Sequence, residues 1–220
     1  MTVFMPTLTN FAAIGRPAFG RAAQHQADAA PPAKRTKAQA RYMRAAKTAA
    51  ELLPELPARG ESVHCLMLGS YDLMQVVAAT VKLVPTCRHL RIATLCFSKR
   101  NTAEMLGLLE TYPKLRLTLL VSAFFKSHNA DLYENFAQDL EEFTGRAKMA
   151  AARSHCKVVC FDLAEGDGLT FEGSANLRTN RNREQLCVIR DRGLHDWHSQ
   201  WTDGLVSAHD GEEEARKTEK

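Results

Sequence analysis

The feature that most constrains the fold is a regular alternation of short apolar runs and amphipathic segments, which begins near residue 61. The apolar runs have strand length, and the segments between them repeat with the helical period. The pattern predicts strands at 62–68, 90–97 and 115–124, and helices at 72–83, 101–110 and 130–143. Alternation of this kind is typical of an α/β domain whose sheet is covered by helices on both faces.

The last third of the chain has a different pattern. Strands are predicted at 155–162, 169–173 and 185–189, so close in sequence that they favour antiparallel pairing and a mixed sheet. A short helix is predicted at 194–202, with Trp197 and Trp201 one turn apart as core anchors.

Both ends of the chain are predicted to be disordered. Residues 1–36 are rich in Ala, Pro, Gly and Gln without apolar periodicity, and residues 204–220 are polar. Residues 37–60 are predicted to be a basic helix and a linker, followed by one domain at 61–203. Four cations at helical spacing would share one face of that helix, either solvated or in contact with nucleic acid. They are Lys37, Arg41, Arg44 and Lys47.

Composition narrows the class of protein. The net charge of +4 and the pI of about 8.8 favour a phosphate-bearing partner. No apolar run reaches the roughly 18–20 residues of a membrane span, and the N-terminus lacks the pattern of a secretory signal, so we expect a cytoplasmic protein without an integral membrane segment. Arg16 and Arg21, with no acidic residue before Asp28, leave a mitochondrial presequence as an alternative.

The six cysteines are mostly in apolar runs, which is typical of buried, reduced thiols.

One group of polar residues, between positions 155 and 176, has side chains that could take part in a reaction. If residues 155–162 form a strand, His155 and Lys157 point to the same face, because side chains alternate along a strand. Further along, Gly173 permits a close backbone approach, and Ser174 and Asn176 supply neutral donors for phosphate oxygens. These are groups that nucleophilic cleavage of a phosphodiester needs.

The pattern His155-x-Lys157-x4-Asp162, followed by Gly173-Ser174-x-Asn176, resembles the signature of the phospholipase D superfamily. The resemblance extends over the strand–helix alternation from residue 61 to 189 and implies a phospholipase D-like fold, with 61–203 as the catalytic domain. The stretch between Asp162 and Gly173 is longer than usual, and the spacing to Glu184 is compact. Both departures are predicted to lie in turns and to affect substrate fit more than catalysis.

The resemblance implies a role for each motif residue. His155 would be the nucleophile and form a phosphohistidine, and Lys157 and Asn176 would bind the phosphoryl oxygens. Ser174 would help to position those oxygens, Glu184 would orient His155, and Asp162 would be structural. A copy of the motif that no longer cleaves is the alternative.

The mechanism needs a second histidine to protonate the leaving oxygen. This chain has one His-x-Lys pair and no internal repeat, so we expect a homodimer in which His155 of each copy contributes to a shared site. No cofactor and no metal ion are implied.

The motif does not distinguish nucleic acid from lipid. Arg178, Arg181 and Arg183 follow the phosphate-binding turn, with Arg190 and Arg192 beyond, and favour a polyanionic backbone. The sequence therefore predicts a metal-independent nuclease that cleaves DNA or RNA. Two alternatives stay open: a phospholipase D-type lipid phosphodiesterase, for which Phe124 and Phe125 are the candidate docking residues, and a non-cleaving binding or structural protein on the same fold.

Overall fold

Within residues 41–68, 71–178 and 182–218, which the computed structural model of the protein describes, eight strands form one sheet. Their order across the sheet is β1-β2-β8-β7-β6-β3-β4-β5. The strands are β1 (Arg41–Ala46), β2 (Ser62–Met67), β3 (His89–Thr94), β4 (Arg116–Ser122), β5 (Ala147–Ala152), β6 (Val158–Asp162), β7 (Gly168–Gly173) and β8 (Glu184–Ile189). The helices are α1 (Ala49–Leu52), α2 (Leu73–Leu83), α3 (Lys99–Thr111), α4 (Ala123–His128), α5 (Ala130–Leu140) and α6 (Arg192–Thr218).

The sheet is mixed, as the sequence predicts. β1 pairs with β2, and β3 with β4 and β4 with β5, in parallel. β6 and β8 run antiparallel to their neighbours. The carboxyl ends of the other six strands therefore meet the amino ends of β6 and β8 at one edge of the sheet, which we call the upper edge.

Alternating side chains give the sheet two buried faces. Ile92, Leu119 and Phe161 belong to the large core under α2, α3 and α5. Their neighbours Ala93 and Leu120 belong to a smaller core under α6, which contains Val206 of that helix. Helices thus cover both faces, which confirms the predicted architecture.

A buried arginine joins the sheet to α6. Arg91 lies in the middle of β3 and is 9% exposed, and its Nε is 2.9 Å from both carboxylate oxygens of Asp203 in α6. Its Nη1 lies 3.2 Å from Oδ2 of Asp162 at the end of β6. Burial opposes a charged guanidinium, but the two carboxylates outweigh it and raise the pKa of Arg91 further.

The expectation of a basic helix at the start of the described chain is wrong. Residues 41–46 form strand β1, in parallel register with β2, and the short helix α1 follows. Local helix propensity is a weak preference that pairing with a neighbouring strand overrides. Arg44 donates to the carbonyl of Leu52 at 3.3 Å, and Lys47 is exposed. Arg41 lies on this strand as well, so the cations do not form a helical stripe. Lys37 lies outside the described residues.

The boundaries of several other elements differ from expectation. α6 continues to Thr218, through a tail that the sequence predicted to be disordered. β5 was not predicted, because its sequence AKMAAA lacks the β-branched and aromatic residues that are typical of strands. β4 ends at Ser122, and α4 starts at once. The predicted helix 130–143 is α5 followed by a 3₁₀ turn at Glu141–Phe143.

Within the described residues, no helix combines the length and apolar composition needed to cross a membrane.

We expect Arg91→Ala to lower the free energy of unfolding by about 2–4 kcal/mol, because Asp203 loses its cation and Asp162 keeps only Arg192 and His195. Arg100→Ala is the matched control, since the Arg100–Glu104 pair is exposed and worth at most about 0.5 kcal/mol. Urea denaturation followed by circular dichroism measures both. Equal losses in the two variants would show that the Arg91 pairs do not hold α6.

Candidate active site

His155 and Lys157 lie at the upper edge of the sheet, in the loop that joins β5 to β6. The expectation that they belong to a strand is wrong, because β6 begins at Val158. Their side chains nevertheless meet: Lys157 Nζ is 3.1 Å from His155 Nδ1 and also donates to the carbonyl of His155 at 2.9 Å. The pairing expected from strand geometry is produced instead by a short loop in which the lysine turns back on the histidine.

Gly173 brings the β6–β7 hairpin close to β8. Its N–H points to the carbonyl of Lys157 at 3.4 Å. A Cβ at this position would overlap the backbone carbonyl of Gln185 in β8. The close backbone approach predicted for Gly173 is therefore present, and it sets the next residue, Ser174, beside the start of β8.

Ser174 connects the hairpin to Glu184. Its Oγ accepts a hydrogen bond from the N–H of Gln185 at 3.1 Å, and its hydroxyl donates to a carboxylate oxygen of Glu184. A serine hydroxyl has one proton, so in this arrangement Ser174 positions the carboxylate. A direct role of Ser174 on phosphate, and that of Glu184 in orienting His155, stay predictions.

The segment after Ser174 is fixed to the end of β3. Asn176 Oδ1 accepts from the N–H of Leu95 at 3.3 Å, and the N–H of Leu177 donates to Thr94 Oγ1 at 3.4 Å. Because the oxygen of the Asn176 amide is used by the backbone, its NH₂ group is the side that can donate to a phosphate oxygen.

Positive charge gathers at the same place. Burial raises the pKa of the Cys96 thiol, and the positive charges of Arg178 and Lys157 act against that rise, so both cations lie near the end of β3. Arg178 and Arg183 are exposed. Arg181 lies outside the described residues. The upper edge can therefore hold an anion between a lysine, an arginine and an amide.

Asp162 lies at the opposite, lower end of β6. Its carboxylate contacts Arg91, as described above, together with Arg192 at 3.6 Å and His195 Nε2 at 3.3 Å. These contacts join β6 to β3 and α6, and they agree with the structural role that the family resemblance implies.

The longer turn between β6 and β7 is also at the lower edge. Asp167 in this turn is buried and binds Arg190 at 2.7 Å and Arg59 at 3.0 Å. Burial alone would raise its pKa, but these two arginines and the N–H of Gly168 outweigh burial and lower it. The expectation that the turn affects substrate fit is therefore wrong, because the turn anchors the linker before β2. Arg190 and Arg192 are likewise structural cations, and they do not neighbour residues 174–176.

Sequence patterns missed one feature of the upper edge. Thr94 and Leu95 hold residues 174–177, the motif loop, and the signal that could have found them is their place at the carboxyl end of a buried strand. Phe124, a candidate docking residue at the end of the predicted strand 115–124, lies in α4, is 64% exposed and stacks on His128 with ring centroids 4.0 Å apart. Ser122 and Ala152 are register partners, so Phe124 and His155 follow neighbouring strand ends. Phe125 is buried.

The described residues contain no group of three or more His, Cys, Asp or Glu side chains that could hold a metal ion. Cys156 is exposed, whereas Cys160 is buried against α6, where burial raises its pKa to about 12. The two cysteines near His155 therefore do not face one ion.

No family model and no curated protein matches the chain. Solved structures similar to it include phosphatidylserine synthase from Haemophilus influenzae Rd KW20, with 17% identity and a TM-score of 0.49 over 66% of this chain and 38% of that one. Polyphosphate kinase from Porphyromonas gingivalis shows 12% identity and a TM-score of 0.47 over 67% and 26%. The phospholipase D family member Nuc from Salmonella typhimurium shows 13% identity and a TM-score of 0.45 over 68% and 96%.

The predicted α/β architecture, a mixed sheet between two helical layers, is confirmed by the structure. That this architecture is a phospholipase D-like fold stays a prediction. The chain spans 38% and 26% of the length of the first two of these proteins. What the candidate site does is therefore argued from its own residues.

We expect Gly173→Ala to destabilise the fold by about 1–3 kcal/mol, because the added Cβ meets a backbone carbonyl of β8 that cannot rotate away. Gly107→Ala is the matched control: it lies inside α3 with no atom near its added Cβ, and should stabilise the fold by about 0.5–1 kcal/mol. Thermal unfolding compares the two. A neutral Gly173→Ala would mean that the β7–β8 contact is loose.

Proposed function

We propose that this chain is a metal-independent phosphodiesterase of the phospholipase D type, a nuclease that cleaves DNA or RNA through a phosphohistidine in a homodimeric site. The observation that supports it most is the contact between His155 and Lys157, whose Nδ1 and Nζ atoms are 3.1 Å apart at the upper edge. An imidazole with an ammonium group beside it, next to a donating amide, is the set of groups that phosphoryl transfer to a side chain requires.

In the first step, Nε2 of His155 attacks phosphorus. A P–N bond forms, the P–O bond to the leaving group breaks, and a proton moves to the leaving oxygen. In the second step, water attacks the phosphohistidine, loses its proton to a base, and breaks the P–N bond. Lys157 and the NH₂ of Asn176 are placed to stabilise the negative charge on the phosphoryl oxygens.

The contact of Lys157 with Nδ1 bears on the tautomer of His155. An ammonium donates to Nδ1, so the ring of a neutral His155 carries its proton on Nε2. Nε2 is the nitrogen that attacks phosphorus, and it cannot attack while it is protonated. A phosphate is a charged and therefore stronger acceptor for Lys157 than an imidazole. Substrate would draw Lys157 away, and the ring would then release its Nε2 proton to water and take up a proton at Nδ1, which a carboxylate can accept; Glu184 is the candidate for that carboxylate. Substrate binding itself would then activate the nucleophile.

Both steps need a second acid–base group. The obvious source is His155 of a second copy, because within this chain the His-x-Lys pair occurs once. A two-fold axis beside the upper edge would place the two imidazoles on opposite sides of one phosphate.

Nucleic acid is the substrate class that the charges favour. Arg178 and Arg183 are exposed next to the motif loop, and guanidinium groups bind successive phosphates of a polyanion. Lys47 is exposed at the end of β1, on the same edge of the sheet. Deletion of residues 1–60 would not test the basic N-terminal segment, because the deletion also removes β1 from the sheet.

A lipid phosphodiester is the second candidate. Phe124 is 64% exposed at the upper edge, where an aromatic ring can enter a bilayer surface or stack on a base. A non-cleaving binding protein on the same fold is the third.

We expect His155→Asn to lower cleavage by several orders of magnitude without unfolding the protein, since an exposed nucleophile is lost. Removing an acid–base group alone costs roughly 10²–10⁴-fold. His209→Asn on α6 should cleave like the wild type. The measurement is turnover in EDTA on single- and double-stranded DNA, on RNA and on anionic phospholipid vesicles, so that each candidate gives its own pattern.

Cleavage of nucleic acid in EDTA that disappears in His155→Asn supports the proposal. A strict requirement for Mg²⁺ or Zn²⁺ would contradict it. Turnover on vesicles alone would replace the nuclease by the lipid enzyme, and binding without turnover on any substrate would favour the third candidate.

We expect the activity of mixed wild-type and His155→Asn subunits to fall as the square of the wild-type fraction. Only pairs of wild-type subunits would contain both histidines, provided that subunits exchange at random. Titration of one form with the other at constant total protein gives the curve. A linear decline would mean that each chain works alone.

A further inference from the structure

An exposed pair of aromatic rings stands on α4, outside the motif residues. Phe124 is 64% exposed, and its ring stacks on the imidazole of His128, with centroids 4.0 Å apart and ring planes at 29°. We call Phe124 and His128 the aromatic pair. The next residue, Phe125, is buried against Phe97 with ring centroids 4.6 Å apart. Packing into the core therefore accounts for Phe125, whereas Phe124 is held at the surface.

Hydrogen bonds fix the aromatic pair in one arrangement. The backbone N–H of Phe124 donates to Ser122 Oγ at 3.1 Å, at the start of the helix. His128 Nδ1 lies 2.9 Å from the carbonyl of Phe124 and 2.9 Å from Ser127 Oγ. The imidazole thus covers one face of the Phe124 ring, and the exposed area belongs to the rest of that ring. A ring held in advance loses little freedom when another flat group stacks on it.

The path of the chain places the aromatic pair near the candidate active site. From the edge strand β5 the chain returns to β6 across the upper ends of β4 and β3, and His155 is the middle residue of this loop, 153–157. α4 begins directly at the upper end of β4 and lies against β5. β4 and β6 are two positions apart, so about 10 Å separates their upper ends. At about 3.4 Å for each stacked nucleotide, at most about three nucleotides cover that distance.

We propose that Phe124, backed by His128, stacks on a base of the substrate close to the scissile phosphate, and that the site therefore takes single-stranded nucleic acid. This inference rests on the proposed function, because it names the substrate class of the same site. A base inside a duplex is already stacked between its neighbours, whereas an unpaired base can turn its flat face onto a ring. Stacking of this kind accepts any sequence, since every base has such a face.

The surroundings of the ring favour a base over a lipid surface. Ser127, His128 and Asn129 are exposed next to Phe124, so the ring stands among polar groups. Docking on a bilayer requires a broad apolar face that enters the acyl region, and one ring with an imidazole against it does not provide such a face. Stacking on a base requires only one flat ring.

The lysine of α4 is not directed at an anionic lipid headgroup either. Lys126 Nζ lies over the ring of Tyr133, 4.4 Å from its centroid, and 3.9 Å from a carboxylate oxygen of Glu134. The charge of Lys126 therefore faces groups of the protein itself.

Cations and the aromatic pair follow one another along the upper edge. Arg183 precedes β8, Lys157 precedes β6, and Phe124 follows β4, in the order in which these strands lie in the sheet. A nucleic-acid strand along this edge would have phosphates at the cations and a base at the ring. Positive charge that follows the backbone, combined with an aromatic ring for a base, is how proteins bind single strands without sequence preference.

The experiment measures binding in a protein that cannot cleave. In the His155→Asn background, fluorescence anisotropy gives the dissociation constants of a labelled single-stranded oligonucleotide and of the duplex of the same sequence. Phe124→Ala should raise the single-strand constant about 5- to 150-fold, as loss of one base–aromatic stack does, and the duplex constant by no more than about twofold. Phe124→Trp should keep tight binding. Leu83→Ala is the matched control, because it removes an exposed apolar side chain at the end of α2.

An abasic oligonucleotide separates stacking from other effects of the substitution. It keeps the phosphates but has no bases, so the protein with Phe124 should bind it more weakly than the ordinary single strand. Phe124→Ala should bind the abasic strand as tightly as the protein with Phe124 does, because neither variant has a base to stack on.

An unchanged single-strand dissociation constant in Phe124→Ala, with folding verified by circular dichroism, would overturn the proposal. Equal losses on single strand, duplex and abasic strand would overturn it as well. A Phe124→Ala variant that loses binding to anionic phospholipid vesicles but not to oligonucleotides would assign the ring to a lipid surface instead.

Cleavage is measured separately in proteins that retain His155, so the two proposals can fail independently. Single-strand binding that depends on Phe124 in a protein that never cleaves keeps the stacking position and rejects the nuclease. Cleavage of nucleic acid with equal binding by the wild type and Phe124→Ala keeps the nuclease and rejects the stacking position.

Discussion

The burial of Arg91 between two carboxylates is the interaction on which the arrangement of the site depends. Arg91 lies in β3 at the middle of the sheet, and it reaches Asp162 at the lower end of β6 and Asp203 in α6. β6 is only five residues long, so fixing its lower end also fixes its upper end, where Lys157 precedes the first residue of the strand. Replacing the network by apolar side chains could be neutral for stability, but such side chains would not fix where α6 lies along the sheet.

The position of α6 in turn divides one face of the sheet. Asp203 holds the helix over β3, and His198 holds it at β7 through Glu172, so three strands on one side remain uncovered. A helix shifted by one strand would cover β8 and bury the surface that runs to the motif loop. The polar contacts of α6 are therefore what leaves that part of the sheet uncovered by the helix.

The sequence predicted the central strands and helices well, because β2, β3 and β4 combine apolar runs with clear breaks. It failed at the two edge strands. RYMRAA and AKMAAA favour a helix locally, and only pairing with β2 and β4 makes them strands. The motif residues were found because their spacing is specific. Their arrangement was not, since a local pattern cannot show that pairing starts at Val158 or that the proton of Ser174 goes to Glu184.

The placement of His155 in a loop suits the proposed mechanism better than the strand expected from the sequence. Two identical imidazoles must act differently, one as a nucleophile free of a proton on Nε2, the other as an acid that carries one. A side chain packed on a strand is held in one set of hydrogen bonds, whereas His155 is exposed and has Lys157 as its neighbour at Nδ1. In the proposed dimer, a single phosphate would not contact both copies of Lys157 in the same way. The copy whose lysine it draws away would become the nucleophile, and the copy whose lysine stays on Nδ1 would keep its proton on Nε2 and be the acid. Lys157 would thus assign the two roles as well as bind the substrate.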